Sequence, residues 1–203
     1  MESDNYKTIK TSSKGIYKEK GSRFISFAFP VSEQEEIKAI IDRLRKENHT
    51  ARHHCYAYVL GQERKIWRVY DEGEPSATAG RPILGQINAI GLTNILIVVS
   101  RYFGGTLLGV SGLINAYRAA SASAIQNAEI IECTVQDYYE ITYPYKLMND
   151  VMKILKEEGI NQSNQSLDLE CSIRINFKTS LRERILNRLT RLDGLKYKYI
   201  DNR

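Results

Sequence analysis

The chain of 203 residues is short of several things, and each shortage excludes something. It has only three cysteines (Cys55, Cys133 and Cys171), an odd number, far apart and without C-x-x-C spacing. That pattern argues against a disulfide framework and a C-x-x-C zinc site, and fits structural thiols in a reducing compartment. No apolar run approaches the roughly 20 residues of a membrane helix. The opening MESDNYKTIK has no apolar core of signal-peptide type. A cytoplasmic protein without a membrane partner is expected. Charge of one sign is also scarce. The net charge is +5, with 17 basic and 14 acidic residues up to Cys133 and 12 and 10 after it, so there is no basic tail. A mildly basic surface fits either ordinary solvation or a polyanionic partner.

What is present reads as two α/β blocks. In KGSRFISFAFP, Ile25, Phe27 and Phe29 alternate as in a half-buried strand. A helix follows, with Ser32 and Glu35 at capping-box spacing and Ile37, Ile40, Ile41 and Leu44 on one face. HHCYAYVLG and KIWRVY read as paired strands joined by GQER. DEGEPSATAGRP has no period and is a loop. A helix starts near Pro82 and stops at Gly91, and ILIVV (95–99) reads as a strand covered on both faces. RYFGGTLLG then leads into a helix from about Leu107 to Ala128, whose Gly112, Ala116, Ala119, Ala120, Ser123 and Ala124 suit close packing.

After Cys133 the pattern restarts as βαββαβ, the ferredoxin-like arrangement. Val135, Tyr139, Ile141 and Tyr143 line the first strand. Leu147, Val151, Ile154 and Leu155 face a helix ended by Gly159. Leu167, Leu169, Cys171, Ile173, Ile175 and Phe177 are expected on one face of a later strand. Ser180 with Glu183 is expected to open the last helix, faced by Leu181, Ile185, Leu189 and Leu192. The expected division is 1–133 and 134–203.

The chemical motifs leave several readings open. GRPILGQI has the glycine gap of a phosphate loop, but Gln86 and Ile87 replace its Lys and Ser/Thr, and no G-x-G-x-x-G exists. Gly104, Gly105 and Gly109 can cradle an anion at a helix start, with Arg101 adding a bidentate charge, or can simply permit a tight turn. His53 and His54, with Asp71, Glu72 and Glu74, suggest acid–base or metal chemistry. On a strand, however, adjacent histidines point to opposite faces, which leaves hydrogen bonding of the acidic loop as the other reading. Ser76, Ser100 and Ser111 lack a G-x-S-x-G setting, so no catalytic residue is assigned. Arg184, Arg188 and Arg191 recur on the polar side of the last helix as a candidate nucleic-acid stripe. Arg101, Tyr102 and Phe103 combine charge and stacking in one loop.

Taken together, HHCYAY, DEGEPSATAGRP (71–82) and VVSRYFGGTLLGVSGLINAY (98–117) closely resemble the signature of the YigZ/Impact family. The resemblance implies an α+β chain of two domains. The first is like the second domain of ribosomal protein S five and domain IV of elongation factor G. The second is a ferredoxin-like βαββαβ domain like domain V of that factor. Ser76 and Ala77 stand where members often have Ala and Gly. Eukaryotic Impact regulates translation, so the resemblance implies a non-enzymatic regulator with RNA, the ribosome or a translation-related protein as partner, and no cofactor. Its expected binding edge comprises Arg101, Tyr102, Phe103, Gly104, Gly105, Arg81, His53, His54 and the acids of the 71–82 loop. Two alternatives remain. One is an enzyme, or a metal- or anion-dependent binder of a small ligand, at His53, His54 and Asp71–Glu74. The other is a protein-interaction module.

Overall fold

The segment Ile95–Tyr102, apolar on both faces, sits where such a segment must, in the middle of a covered sheet. In the computed structural model, which describes residues 4–202, the chain divides into two units. One comprises Tyr6–Cys133. The other comprises Thr134 onward, joined by Asp4 and Asn5.

The first unit is built on five antiparallel strands: β2 (Ser13–Glu19), β3 (Ser22–Pro30), β4 (His53–Leu60), β5 (Ile66–Tyr70) and β6 (Ile95–Tyr102), in the order β2-β3-β6-β4-β5. Period-2 alternation sends one set of side chains to each face. Cys55, Ala57, Val59, Ile95, Ile97 and Val99 pack with Phe24 and Ala28 under α2 (Gly80–Ile90) and α3 (Gly109–Gln126). Tyr56, Tyr58, Leu60, Leu96 and Val98 pack with Phe27 and Phe29 under α1 (Gln34–Glu47). β6 is thus buried on both faces although every neighbour is antiparallel, because helices lie on both sides. Two short strands, β1 (Asn5–Ile9) and β7 (Ile130–Thr134), form a separate pair; pattern alone does not separate β7 from the helix before it.

Two local expectations shift and a third holds. The capping box of α1 belongs to Glu33 and Glu36, not Ser32 and Glu35; Ser32 instead gives its N–H to the Glu36 carboxylate at 2.8 Å. α2 begins at Gly80, two residues before Pro82. The small-residue face of α3 does lie close: a Cβ on Gly15 of β2 would stand 2.3 Å from the Ala124 nitrogen, and Ser26 Oγ donates to the Ala120 carbonyl at 2.6 Å.

The second unit runs β8 (Gln136–Pro144), α4 (Met148–Glu157), β9 (Asn161–Ser166), β10 (Glu170–Lys178), α5 (Arg182–Leu189) and β11 (Lys196–Asn202). Its strand order β11-β8-β10-β9 is that of the ferredoxin-like fold, and Tyr139, Ile141, Tyr143, Cys171, Ile173, Ile175 and Phe177 meet α4 and α5 in its core. Leu167 and Leu169 correct the expectation. They precede the start of β10 and are exposed, Leu169 at 89%, because alternation orients a side chain only where the chain is paired. Ser180 does not cap α5; its N–H and hydroxyl both meet the Asp4 carboxylate.

Candidate functional site

Register builds the site. His53 pairs across the sheet with Arg101, and His54 with Ser100, so the start of β4 lies beside the end of β6. β5 ends at the same edge and delivers the loop 71–79 over it. The histidines, the acids of the loop and the start of the RYFGG segment therefore lie at one place.

Each acid of the loop is held by protein donors. The Asp71 carboxylate accepts the N–H groups of Ala77, Ala79 and Gly80 at 2.9, 3.0 and 2.8 Å. It thereby satisfies the first turn of α2, which has no side-chain cap of its own. Glu72 accepts Arg45 Nε at 3.0 Å and the backbone N–H of His54, with His54 Nδ1 3.4 Å away. Glu74, deeply buried, accepts Arg101 Nη1 at 2.6 Å and the Tyr117 hydroxyl at 2.8 Å. His53 places Nδ1 2.7 Å from the Glu72 carbonyl oxygen, so that nitrogen carries the proton, and Nε2 4.0 Å from the Glu74 carboxylate.

These environments shift proton affinities. Burial lowers that of His54, outweighing the neighbouring Glu72 carboxylate, and keeps the ring neutral. Burial pushes the Cys55 thiol and the Tyr117 hydroxyl far above their ordinary ranges. The Cys55 sulfur lies 2.9 Å from the Asp71 carbonyl oxygen and 3.3 Å from the Tyr117 hydroxyl, protonated and so without a thiolate's reactivity. His54 Nε2, Arg101 Nε and Ser100 Oγ are buried without a protein partner. Among the described residues, no three His, Cys, Asp or Glu side chains are grouped to hold a metal ion.

The segment expected to be one loop differs from expectation: Arg101 and Tyr102 end β6, and only Phe103 and the glycines follow it. Arg101 is not presented outward. Its guanidinium is buried against Glu74 and lies 5.5 Å from the Phe24 ring. Tyr102 donates its hydroxyl to Asn48 Oδ1 at 2.9 Å, and Arg23 stacks 4.4 Å over its ring. Phe103 is exposed, with Arg52 5.9 Å from its centroid. Gly104 and Gly105 lie ahead of α3 rather than in its first turn. A Cβ on Gly104 would stand 1.9 Å from the Gly21 carbonyl carbon, so glycine is needed there for two backbones to meet. Gly105, at φ +87°, supplies the turn.

Other predicted residues lie apart from this cluster. Arg81 is exposed in the first turn of α2. Arg184 and Arg188 are not a bare stripe: both pair with Glu158, and Arg188 also with Glu157. Arg191 falls beyond the end of α5. Sequence reasoning missed Arg45, Arg52 and the role of Tyr117. Tyr117 closes the quoted 98–117 segment and is marked by it, whereas nothing local marks Arg45 or Arg52. Among the described residues no helix is long and apolar enough to cross a membrane.

The whole cluster, from Arg23 to Tyr117, falls inside residues 20–125, which match the Impact N-terminal domain. The chain is 30% identical over 183 residues to IMPACT family member YvyE of Bacillus subtilis, a match that takes in 90% of this chain and 82% of that one. It is 37% identical over 132 residues to IMPACT family member YigZ of Escherichia coli, over 61% of this chain and 65% of that one. The crystal structure of a hypothetical protein, 27% identical, superposes with a TM-score of 0.70 over 99% of this chain and 98% of its own. With both units covered and the signature residues gathered at one sheet edge, the chain belongs to the IMPACT family.

Proposed function

We propose that the protein is a non-catalytic regulator of translation that works in the cytoplasm by binding RNA or the ribosome. Its contact is the sheet edge around Tyr102 and Phe103. The observation that carries this reading is the pairing of exposed cations with aromatic rings there, Arg23 over Tyr102 and Arg52 beside Phe103. Guanidinium groups meet phosphate, and a half-exposed ring offers a face for a base. Lys18, at the end of β2 opposite Arg23, and Lys20, in the turn after it, are both exposed and extend the same charge. The histidine–acid cluster then serves as the frame that fixes this edge: its carboxylates are spent on α2, Arg45, Arg101 and Tyr117. The translation role draws on the family, through the regulatory role of its eukaryotic members.

Co-sedimentation with ribosomes and free subunits at low and high salt tests the reading. Pelleting is expected at low salt. The Arg23→Ala/Arg52→Ala double variant is expected to lower both affinity and salt dependence, by roughly 0.7–0.9 in log–log slope for each phosphate it no longer neutralises. A protein that stays in the supernatant at low salt, or a double variant that pellets like wild type, overturns it.

A further inference from the structure

The opposite face of the first unit's sheet carries a feature that the signature cluster does not use. α1 covers the middle of that face through Ile37, Ile41 and Leu44 and leaves the edge strand β5 bare. Between them lies a cleft of about 520 Å³, floored by Tyr56 and Tyr58 and flanked by Ile37 and Ile41 of α1 and Arg68 of β5. A second hollow of about 430 Å³, beside Leu60 and Ile66, shares Gln34 and Glu35 with it. The two form one groove along β5, whose five residues span roughly 17 Å.

The cleft side of β5 follows from register. Ile66, Arg68 and Tyr70 stand opposite Leu60, Tyr58 and Tyr56, and directly opposed residues share a face. All three are exposed, Ile66 at 51%. The groove thus has an aromatic floor, one apolar end at Leu60 and Ile66, and an edge strand for a wall.

Its charges are unevenly spent. Arg45, at the far end, is committed to Glu72 and Asp42. Lys38 from α1 and Arg68 from β5 line the groove from its two sides, and among the described residues neither forms an ion pair. Both are exposed. Two further acids, Glu33 and Glu35, stand toward the Ile66 end; the Glu33 carboxylate accepts a backbone N–H in the capping box of α1, and Glu35 lies where the groove's two hollows meet.

We propose that this groove binds a segment of a partner protein, extended along β5, with an acidic side chain between Lys38 and Arg68 and a neighbouring large apolar one on Tyr56 and Tyr58. The groove selects the side chains, and β5 walls the segment along its length. The length of the groove fits an extended chain better than a compact metabolite. Glu33 and Glu35 at the Ile66 end set a polyphosphate backbone running the length of the groove at a disadvantage, which separates this surface from the proposed RNA-facing edge. The proposal does not depend on the RNA reading.

The test is selection of random heptapeptides displayed on phage against the full chain, followed by fluorescence anisotropy with the selected peptides. Expected are sequences with Asp or Glu next to Ile, Leu, Phe or Val, bound roughly tenfold or more weakly by Lys38→Glu and Arg68→Glu proteins. Thermal midpoints of both variants, compared with wild type, show that the fold is kept. No enrichment, enrichment without acids, or peptide binding that neither reversal changes would overturn the proposal. So would a uridine 20-mer that displaces the peptides and loses affinity in the Arg68→Glu protein. Ribosome pelleting by the same two proteins should stay at the wild-type level, so failure here is distinguishable from failure at the RNA-facing edge.

Discussion

Two buried carboxylates, one in each unit, meet arginine in opposite circumstances. Glu74 leaves only 4% of its side chain exposed, and its partner Arg101 only 7%, so both charges have been taken out of water. Glu158 is also 4% exposed, but its partners Arg184 and Arg188 are 67% and 33% exposed and remain largely hydrated. The hydrogen bond from Arg188 still holds the Glu158 carboxyl below its usual range. The lesson concerns what each arginine is for. Desolvated, Arg101 is an internal strut whose removal strands a charge. Hydrated, Arg184 and Arg188 tie α5 to the end of α4 at little cost and little gain.

Substitution sharpens the contrast. Arg101→Ala should be the most damaging, lowering unfolding free energy in urea titration by about 3–5 kcal/mol, because Glu74 is left buried and unpaired. Arg101→Met combined with Glu74→Gln should recover much of the loss. If Arg101→Ala were as stable as wild type, the pair would be no strut and the comparison would collapse. A smaller effect of opposite sign is expected in the loop that the strut supports. Ala77 sits at φ +64°, a conformation that costs an L-residue roughly 1–2 kcal/mol. Ala77→Gly should therefore stabilise the protein by about 1 kcal/mol, less the entropy that glycine adds to the unfolded chain, as read by the same titration. The smallest effect belongs to the hydrated side. Arg188→Ala should leave the thermal midpoint near that of wild type, and added salt should narrow any difference. A large loss there would show that Glu158 needs its arginine as Glu74 does.

Much of the fold was legible because it rests on local period. The alternation through β3, β8 and β10, the continuous apolar run of β6 and the leucine and isoleucine faces of α1, α4 and α5 are short-range signals, and Gly91 and Gly159 stop helices where they stand. Leu167 and Leu169 show the limit: the alternation runs on past the point where pairing ends. The site was legible as an inventory but not as an arrangement. His53, Asp71, Glu74 and Arg101 each stand out by residue type, yet nothing local tells that Arg101 turns inward to Glu74 instead of outward. That is decided by the register of β4 on β6 and by burial, both long-range. Arg45 comes from a helix whose sequence advertises only its apolar face. The Ala77 swap within the signature loop is harmless to the topology but falls at a left-handed backbone position that only coordinates disclose.

The contact of Gly104 with Gly21 bears on how the proposed binding edge behaves as an object. With no side chain on either residue, the separation between the β2–β3 turn and the loop after β6 is fixed by the thickness of the main chain itself, with Ser22 Oγ accepting the Gly104 N–H at 3.2 Å as a rivet. Rotamer changes cannot widen that joint. Arg23 on one segment and Tyr102 and Phe103 on the other are held at a set spacing, so the proposed partner would meet a surface already gauged to size rather than two segments that must find each other.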